Sequence, residues 1–207
     1  MIASGTTSWT ETADAVIRLG RFCAARGWVP ATAGNFSVRA PSGRIAITAS
    51  GTDKGALRQG DVLEAEVGAP PPPGSSAETP IHLALYAADP AVGAVVHMHS
   101  PHSTLLSRLL EPEGAVVLAG YELLKALHPI RTHEVSVSVP VYANDQDTTR
   151  LAARAAADLG RPGLAPAFLI AGHGLTAWGR DAEEALRHAE ALDFLFGIEL
   201  EMRRLTR

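Results

Sequence analysis

The sequence predicts a mixed α/β fold of three layers, with a largely antiparallel central β-sheet flanked by helices. Strand-like apolar runs and helix-period segments interleave along all 207 residues, without internal repeats. Several strand candidates are joined by short turns, as at Pro41-Ser42-Gly43, which favours antiparallel pairing. An apolar content of 46% is enough for one substantial core. Residues 1–207 are therefore expected to form a single domain, with residues 1–9 a loose N-terminal tail.

Taken in order, residues 10–26 place Ala13, Val16, Ile17, Gly20 and Ala24 at three-to-four spacing, an amphipathic helix stopped by Gly27. A turn then feeds a short strand through Asn35-Phe36-Ser37-Val38, and the chain returns along residues 44–48. Residues 49–55 form a loop and residues 61–67 another strand. Residues 68–76 hold four consecutive prolines and read as a stiff surface loop. Residues 78–88 are helical. Residues 94–96 are a buried strand running into His97-Met98-His99, and Pro101 opens the next helix, as proline at a first helical position can. Residues 115–118 form a strand, 121–127 a short helix, 135–141 an alternating strand, 145–159 an Ala-rich helix and 167–170 an apolar strand. Asp181 and Glu184 start the last helix in the manner of a capping box.

The net charge of −4 and the absence of a basic run longer than two residues disfavour nucleic acid and anionic membrane surfaces as partners. No apolar stretch is long enough to span a bilayer, and the first residues lack the basic head and apolar run of a signal peptide. A cytoplasmic location is expected. The single cysteine, Cys23, rules out an intrachain disulfide and reads as a small buried side chain.

Residues two apart on a strand share a face, so His97 and His99 present two imidazoles to one point. Alone, the pair also fits two satisfied histidines at a strand exit. His173 adds a third imidazole, between Gly172 and Gly174 after an apolar strand, where glycines let a loop aim one side chain. Three histidines leaving one position open match a catalytic zinc site. Glu78 and Glu122 are candidate proton-transfer carboxylates, although both also fit solvated acids at helix starts. Gly34-Asn35-x-Ser37, Ser50-Gly51-Thr52 and Ser75-Ser76 are small, polar turn segments able to cradle an anion. None forms a nucleotide-binding fingerprint. His82, four residues after Glu78 and on its helical face, is read as structural.

The ordered segments ATAGNFSVR, ITASGTDKG, SSAETPIHLALY, VVHMHSPHS and AGHGLTAWGRDAEEAL resemble the class II aldolase family over about residues 12–200. Tyr121-Glu122-Leu123-Leu124-Lys125, Asn144-Asp145-Gln146-Asp147 and the Glu78-Thr79-x-x-His82 pattern resemble its methylthioribulose-1-phosphate dehydratase branch. The resemblance implies a nine-stranded antiparallel sheet, a homotetramer and a small sugar-phosphate substrate. It implies one zinc ion per subunit on His97, His99 and His173, and a phosphate held by Gly34, Asn35, Ser50, Gly51, Ser76 and Ala77. Ala77 departs from the second serine usual in aldolase relatives. The implied reaction belongs to methionine salvage. It removes the C3 proton of 5-methylthioribulose 1-phosphate, expels the C4 hydroxyl as water and leaves a 2,3-diketone phosphate. Glu122 is the expected acid/base, as a partly buried carboxyl with a raised pKa, and Glu78 matches the glutamate of the aldolases. The alternatives are an aldolase of fuculose- or ribulose-phosphate type, with the same metal site, and a silent scaffold of the same fold.

Overall fold

The computed structural model of the chain describes residues 8–206. Of the tail expected at residues 1–9, residues 1–7 lie outside that range. Ser8 and Trp9 are not loose: they begin helix α1, Trp9–Ala25. The Glu11 N–H donates to Ser8 Oγ at 3.3 Å and the Ser8 N–H to the Glu11 carboxylate at 2.6 Å, a reciprocal cap.

The strands are β1 Asn35–Arg39, β2 Ile45–Thr48, β3 Val62–Ala65, β4 Ala94–Met98, β5 Ala115–Ala119, β6 Ser136–Tyr142, β7 Ala167–Ile170 and β8 Gly174–Gly179. They form one sheet in the order β3-β2-β1-β4-β8-β7-β6-β5. Every pairing is antiparallel except β6 with β7. The described residues thus give eight strands rather than nine. The proline-rich segment contributes a single bridge, Ser75 to Ala49, because prolines have no N–H to offer a ladder.

Alternation along each strand separates two cores. Phe36, Val38, Ala94, Val96 and Met98 pack with α1, with α3 (Pro101–Leu109) and with α5 (Ala182–Leu205) on one face. Ile45, Ile47, Val95, Phe168 and Ile170 pack with α2 (Thr79–Ala88) and α4 (Thr148–Asp158) on the other. The three-layer expectation is met. Cys23 is fully buried, and burial pushes its thiol up to about 12. Trp28 and Phe196 are core, whereas Phe194 stands 60% exposed on α5.

Strand β8 is absent from the sequence reading. Glycines at both ends weaken its strand signal, but both are required by close packing. A Cβ on Gly174 would lie 2.2 Å from the Met98 carbonyl oxygen on β4, and one on Gly179 2.5 Å from the Ala185 amide on α5. The expected cap of α5 is also modified. The Glu184 N–H donates to Asp181 Oδ1 at 2.8 Å, while the Glu184 carboxylate accepts from the Arg180 N–H and guanidinium instead of from Asp181.

Candidate metal centre

Strand β4 lies between β1 and β8, so His97 sits directly opposite Asn35 on one side and Thr176 on the other. His99 follows the end of β4. His173 occupies the tight β7–β8 turn, where Gly172 takes φ +64° and the His173 N–H closes onto the Ile170 carbonyl at 3.0 Å. Helix α3 clasps that turn: Thr104 Oγ1 donates to the His173 carbonyl at 2.9 Å, and the Gly172 N–H donates to Ser107 Oγ at 3.1 Å. Glu78 stands at the N-cap position of α2 on the opposite side, its side chain turned to the histidines and not used as a helix cap, with Pro80 in the first turn.

These elements bring Glu78, His97, His99 and His173 together, with one ligand atom from each all within 4.8 Å. His97 Nε2 lies 2.9 Å from His99 Nε2 and 3.3 Å from His173 Nε2. Glu78 Oε2 is 3.2 Å from His97 Nε2, and Oε1 is 3.3 Å from His173 Nε2. Four ligands about 2.0–2.1 Å from one tetrahedral ion stand roughly 3.3 Å apart, so these spacings suit a divalent metal. The donor set agrees. Three imidazole nitrogens converging on a carboxylate offer more lone pairs than protons unless a cation sits among them. His97 Nδ1 is 3.0 Å from Thr176 Oγ1, and donation from Nδ1–H fixes the tautomer that leaves Nε2 free to ligate.

Electrostatics follow from burial and crowding. Desolvation, then the neighbouring imidazoles of His97 and His173, push His99 down to about 3. His173 is lowered too, by burial first and then by His97, against the opposing charge of Glu78. For Glu78, burial alone would raise the carboxyl. The charges of His97 and His173 and a hydrogen bond from Asn35 outweigh it and carry the group down to about 2. The Asn35 amide donates to Glu78 Oε2 at 2.7 Å and to Ser76 Oγ at 3.3 Å. Its side chain therefore serves the carboxylate.

A cavity of about 150 Å³ opens beside the cluster, lined by Gly34, Asn35, Ser50, Gly51 and Ser76 together with Lys54, Glu78 and His99. Five of the six residues expected to hold phosphate line it; Ala77 does not. Lys54 and Thr176 are absent from the sequence reading of the site. A roomier cavity of about 560 Å³, beside His128, Trp178 and His188, shares no residue with the cluster, so donor chemistry and not size selects the site.

Glu122 departs from expectation. It lies on a 3-10 turn, Glu122–Ala126, after the edge strand β5, and its side chain is 69% exposed. A hydrogen bond from Lys125, then the nearby charge of His133 at 3.3 Å, lower its carboxyl instead of raising it. Within one chain it is not part of the cluster. His82 is fully buried, its Nδ1 2.7 Å from Ser37 Oγ, which also meets the Tyr86 hydroxyl at 2.8 Å.

Residues 14–200 match the family described as Class II Aldolase and Adducin N-terminal domain. A methylthioribulose-1-phosphate dehydratase of Bradyrhizobium sp. is 52% identical over 203 residues, covering 96% of this chain and 94% of the relative. One of Parvibaculum lavamentivorans is 49% identical over 192 residues, covering 93% and 94%. The L-fuculose-1-phosphate aldolase of Thermus thermophilus superposes with a TM-score of 0.78 at 30% identity, covering 94% of this chain and 95% of that one.

Proposed function

This chain belongs to the class II aldolase and adducin N-terminal domain family, in its methylthioribulose-1-phosphate dehydratase branch. On that footing we propose that it converts 5-methylthioribulose 1-phosphate to 5-methylthio-2,3-dioxopentyl phosphate and water, as a cytoplasmic step of methionine salvage. The single observation that carries this reading is the cluster of Glu78, His97, His99 and His173 opening onto a phosphate-sized polar cavity. Among the described residues no helix is long and apolar enough to cross a membrane.

His97, His99 and His173 would hold zinc, which supplies Lewis acidity at the substrate ketone oxygen when bound. Backbone N–H groups of Gly34 and Gly51, with the Ser50 and Ser76 hydroxyls, grip the phosphate and fix the sugar chain relative to the cluster, the Ser50 N–H being held by the Gly74 carbonyl. Ala77 offers only its backbone. Dehydration needs one base to take the C3 proton and one acid to give a proton to the departing C4 hydroxyl; tautomerisation then yields the diketone. Glu78, ionised and held by Asn35, is the base within reach of the cluster. Glu122 is assigned the acid through assembly. It is exposed in the single chain, but its chain neighbour Leu123 and Val117 on the preceding edge strand β5 are 37% and 56% exposed. Covering that apolar surface in a homotetramer would bury Glu122 and raise its carboxyl toward the range of a general acid.

The structural likeness to a fuculose-phosphate aldolase supports a second reading, cleavage of C3–C4 at the same metal. Intact and convergent His97, His99 and His173 argue against a silent scaffold. Product identity separates the two enzymes. Zinc-loaded protein given 5-methylthioribulose 1-phosphate should form the diketone phosphate; release of dihydroxyacetone phosphate instead would establish the aldolase.

A further inference from the structure

Lys54 is only 2% exposed, which is unusual for lysine unless an anion pairs with it. Among the described residues it forms no ion pair within 4.0 Å. Its Nζ donates to the Thr32 carbonyl at 3.0 Å and the Thr52 carbonyl at 2.8 Å, with Thr52 Oγ1 more distant at 3.4 Å. Two carbonyls take two of the three ammonium protons, and neither acceptor carries a net charge.

The placement is as telling as the missing partner. Lys54 lines the 150 Å³ cavity together with Gly34, Ser50, Gly51 and Ser76. Its two carbonyl partners, Thr32 and Thr52, lie on two separate loops that each contribute residues to the lining of that cavity. The first loop is strained: Ala31 and Thr32 hold φ +51° and +68°, a left-handed conformation disfavoured above all for a β-branched residue. Lys54 is seated from behind by Gly20 of α1, where a Cβ would lie 2.5 Å from the Lys54 carbonyl oxygen. Burial presses the ammonium's pKa down, against the weaker pull of Asp53 and Asp61. An anion in the cavity would oppose that cost.

We infer that Lys54 is the counter-cation of the substrate's phosphate, and that its ammonium straps the 30–34 and 50–52 loops into the spacing that phosphate requires. The inference rests on the sugar-phosphate reading above. It makes Lys54 a phosphate-binding residue in addition to a structural one. A dianion would take the third ammonium proton and supply the charge that the carbonyls lack.

The test uses the metal-loaded full chain, with inorganic phosphate as probe and with phosphorylated and dephosphorylated methylthioribulose as substrates. In Lys54→Met, the inhibition constant for phosphate and the KM for phosphorylated ketose should rise together by at least about 30-fold, with metal content unchanged. The preference for phosphorylated over dephosphorylated ketose should collapse by a similar factor, and Lys54→Arg should restore part of it. Should Lys54→Met not fold, wild-type protein still decides: the ¹⁵Nζ signal of Lys54 should shift on saturation with phosphate. Unchanged phosphate inhibition in a folded Lys54→Met, or an unmoved Nζ signal with phosphate demonstrably bound, would overturn the inference and leave the sugar-phosphate reading intact. Failure of wild-type protein to bind phosphate or to prefer the phosphorylated ketose would overturn both.

Discussion

Thr176→Val should weaken metal binding without disturbing the fold. Thr176 is 1% exposed, lies directly opposite His97 across the β4–β8 ladder and meets its Nδ1 at 3.0 Å. Valine keeps the shape and removes the acceptor. With metal on Nε2, His97 must carry its proton on Nδ1, and in the variant that buried N–H has no partner. The cost of such an orphan is about 1–3 kcal/mol. Metal-free protein avoids it by moving the proton to Nε2, so the full cost falls on binding. At about 1.4 kcal/mol per decade the loss is roughly 5- to 150-fold in affinity, which agrees with the 10- to 100-fold typical of the outer partners of ligating histidines. Competition against a chelating dye measures it, with Thr176→Ser as the control that keeps the hydroxyl. An affinity within twofold of wild type in Thr176→Val would refute the coupling of this hydroxyl to the ligating tautomer.

Three further outcomes follow from single contacts. Glu122→Gln should retain metal and assembly while dehydration falls by at least about 10²-fold; wild-type turnover by the purified variant would remove Glu122 from the mechanism. Gly174→Ala forces a Cβ to within 2.2 Å of the Met98 carbonyl, so overpacking of about 1–3 kcal/mol should lower the melting temperature by roughly 2–12 °C in calorimetry. A melting temperature equal to wild type would mean that β4 and β8 can part more easily than their packing implies. Hydrogen bonds from Arg180 carry the Glu184 carboxyl from 4.5 down to about 2, against the opposing effect of burial. Because the folded value is depressed, this contribution is present above pH 4.5 and is lost as pH falls toward 2. Glu184→Gln should flatten that part of the melting-temperature profile, and an unchanged acid limb would argue against the linkage.

The parts of the site that depend on local periodicity were legible in the sequence. His97 and His99 share a face because a strand alternates, and the glycines around His173 announce a turn that aims one side chain. The anion segments were legible as small, polar turns. What escaped depends on contacts across the chain. Thr176 belongs to a strand whose end glycines answer to packing against β4 and α5, which no local pattern records. Lys54 falls in the 49–55 loop with no local sign of burial; its burial comes from α1 closing over it at Gly20. Asn35, expected at the phosphate, lines the cavity; what the sequence did not record is the β1–β4 register that also sets it beside His97 and turns its amide to Glu78. Glu122 was expected to be partly buried with a raised pKa. The i+3 lysine that lowers it, Lys125, is visible in the sequence. The prolines of residues 68–76 marked a surface loop, and that segment adds only the Ser75–Ala49 bridge to the sheet.

The central claim is that this histidine site removes water from a ketose phosphate while leaving its carbon chain whole. Carbon-13 NMR of uniformly labelled 5-methylthioribulose 1-phosphate, followed with zinc-loaded and chelator-treated protein, tests it most directly. Two adjacent carbonyl carbons in one intact five-carbon product, formed only by the zinc-loaded protein, are the predicted result. Separate products carrying three and two carbons of the sugar chain, or a diketone formed equally well after chelation, would contradict it.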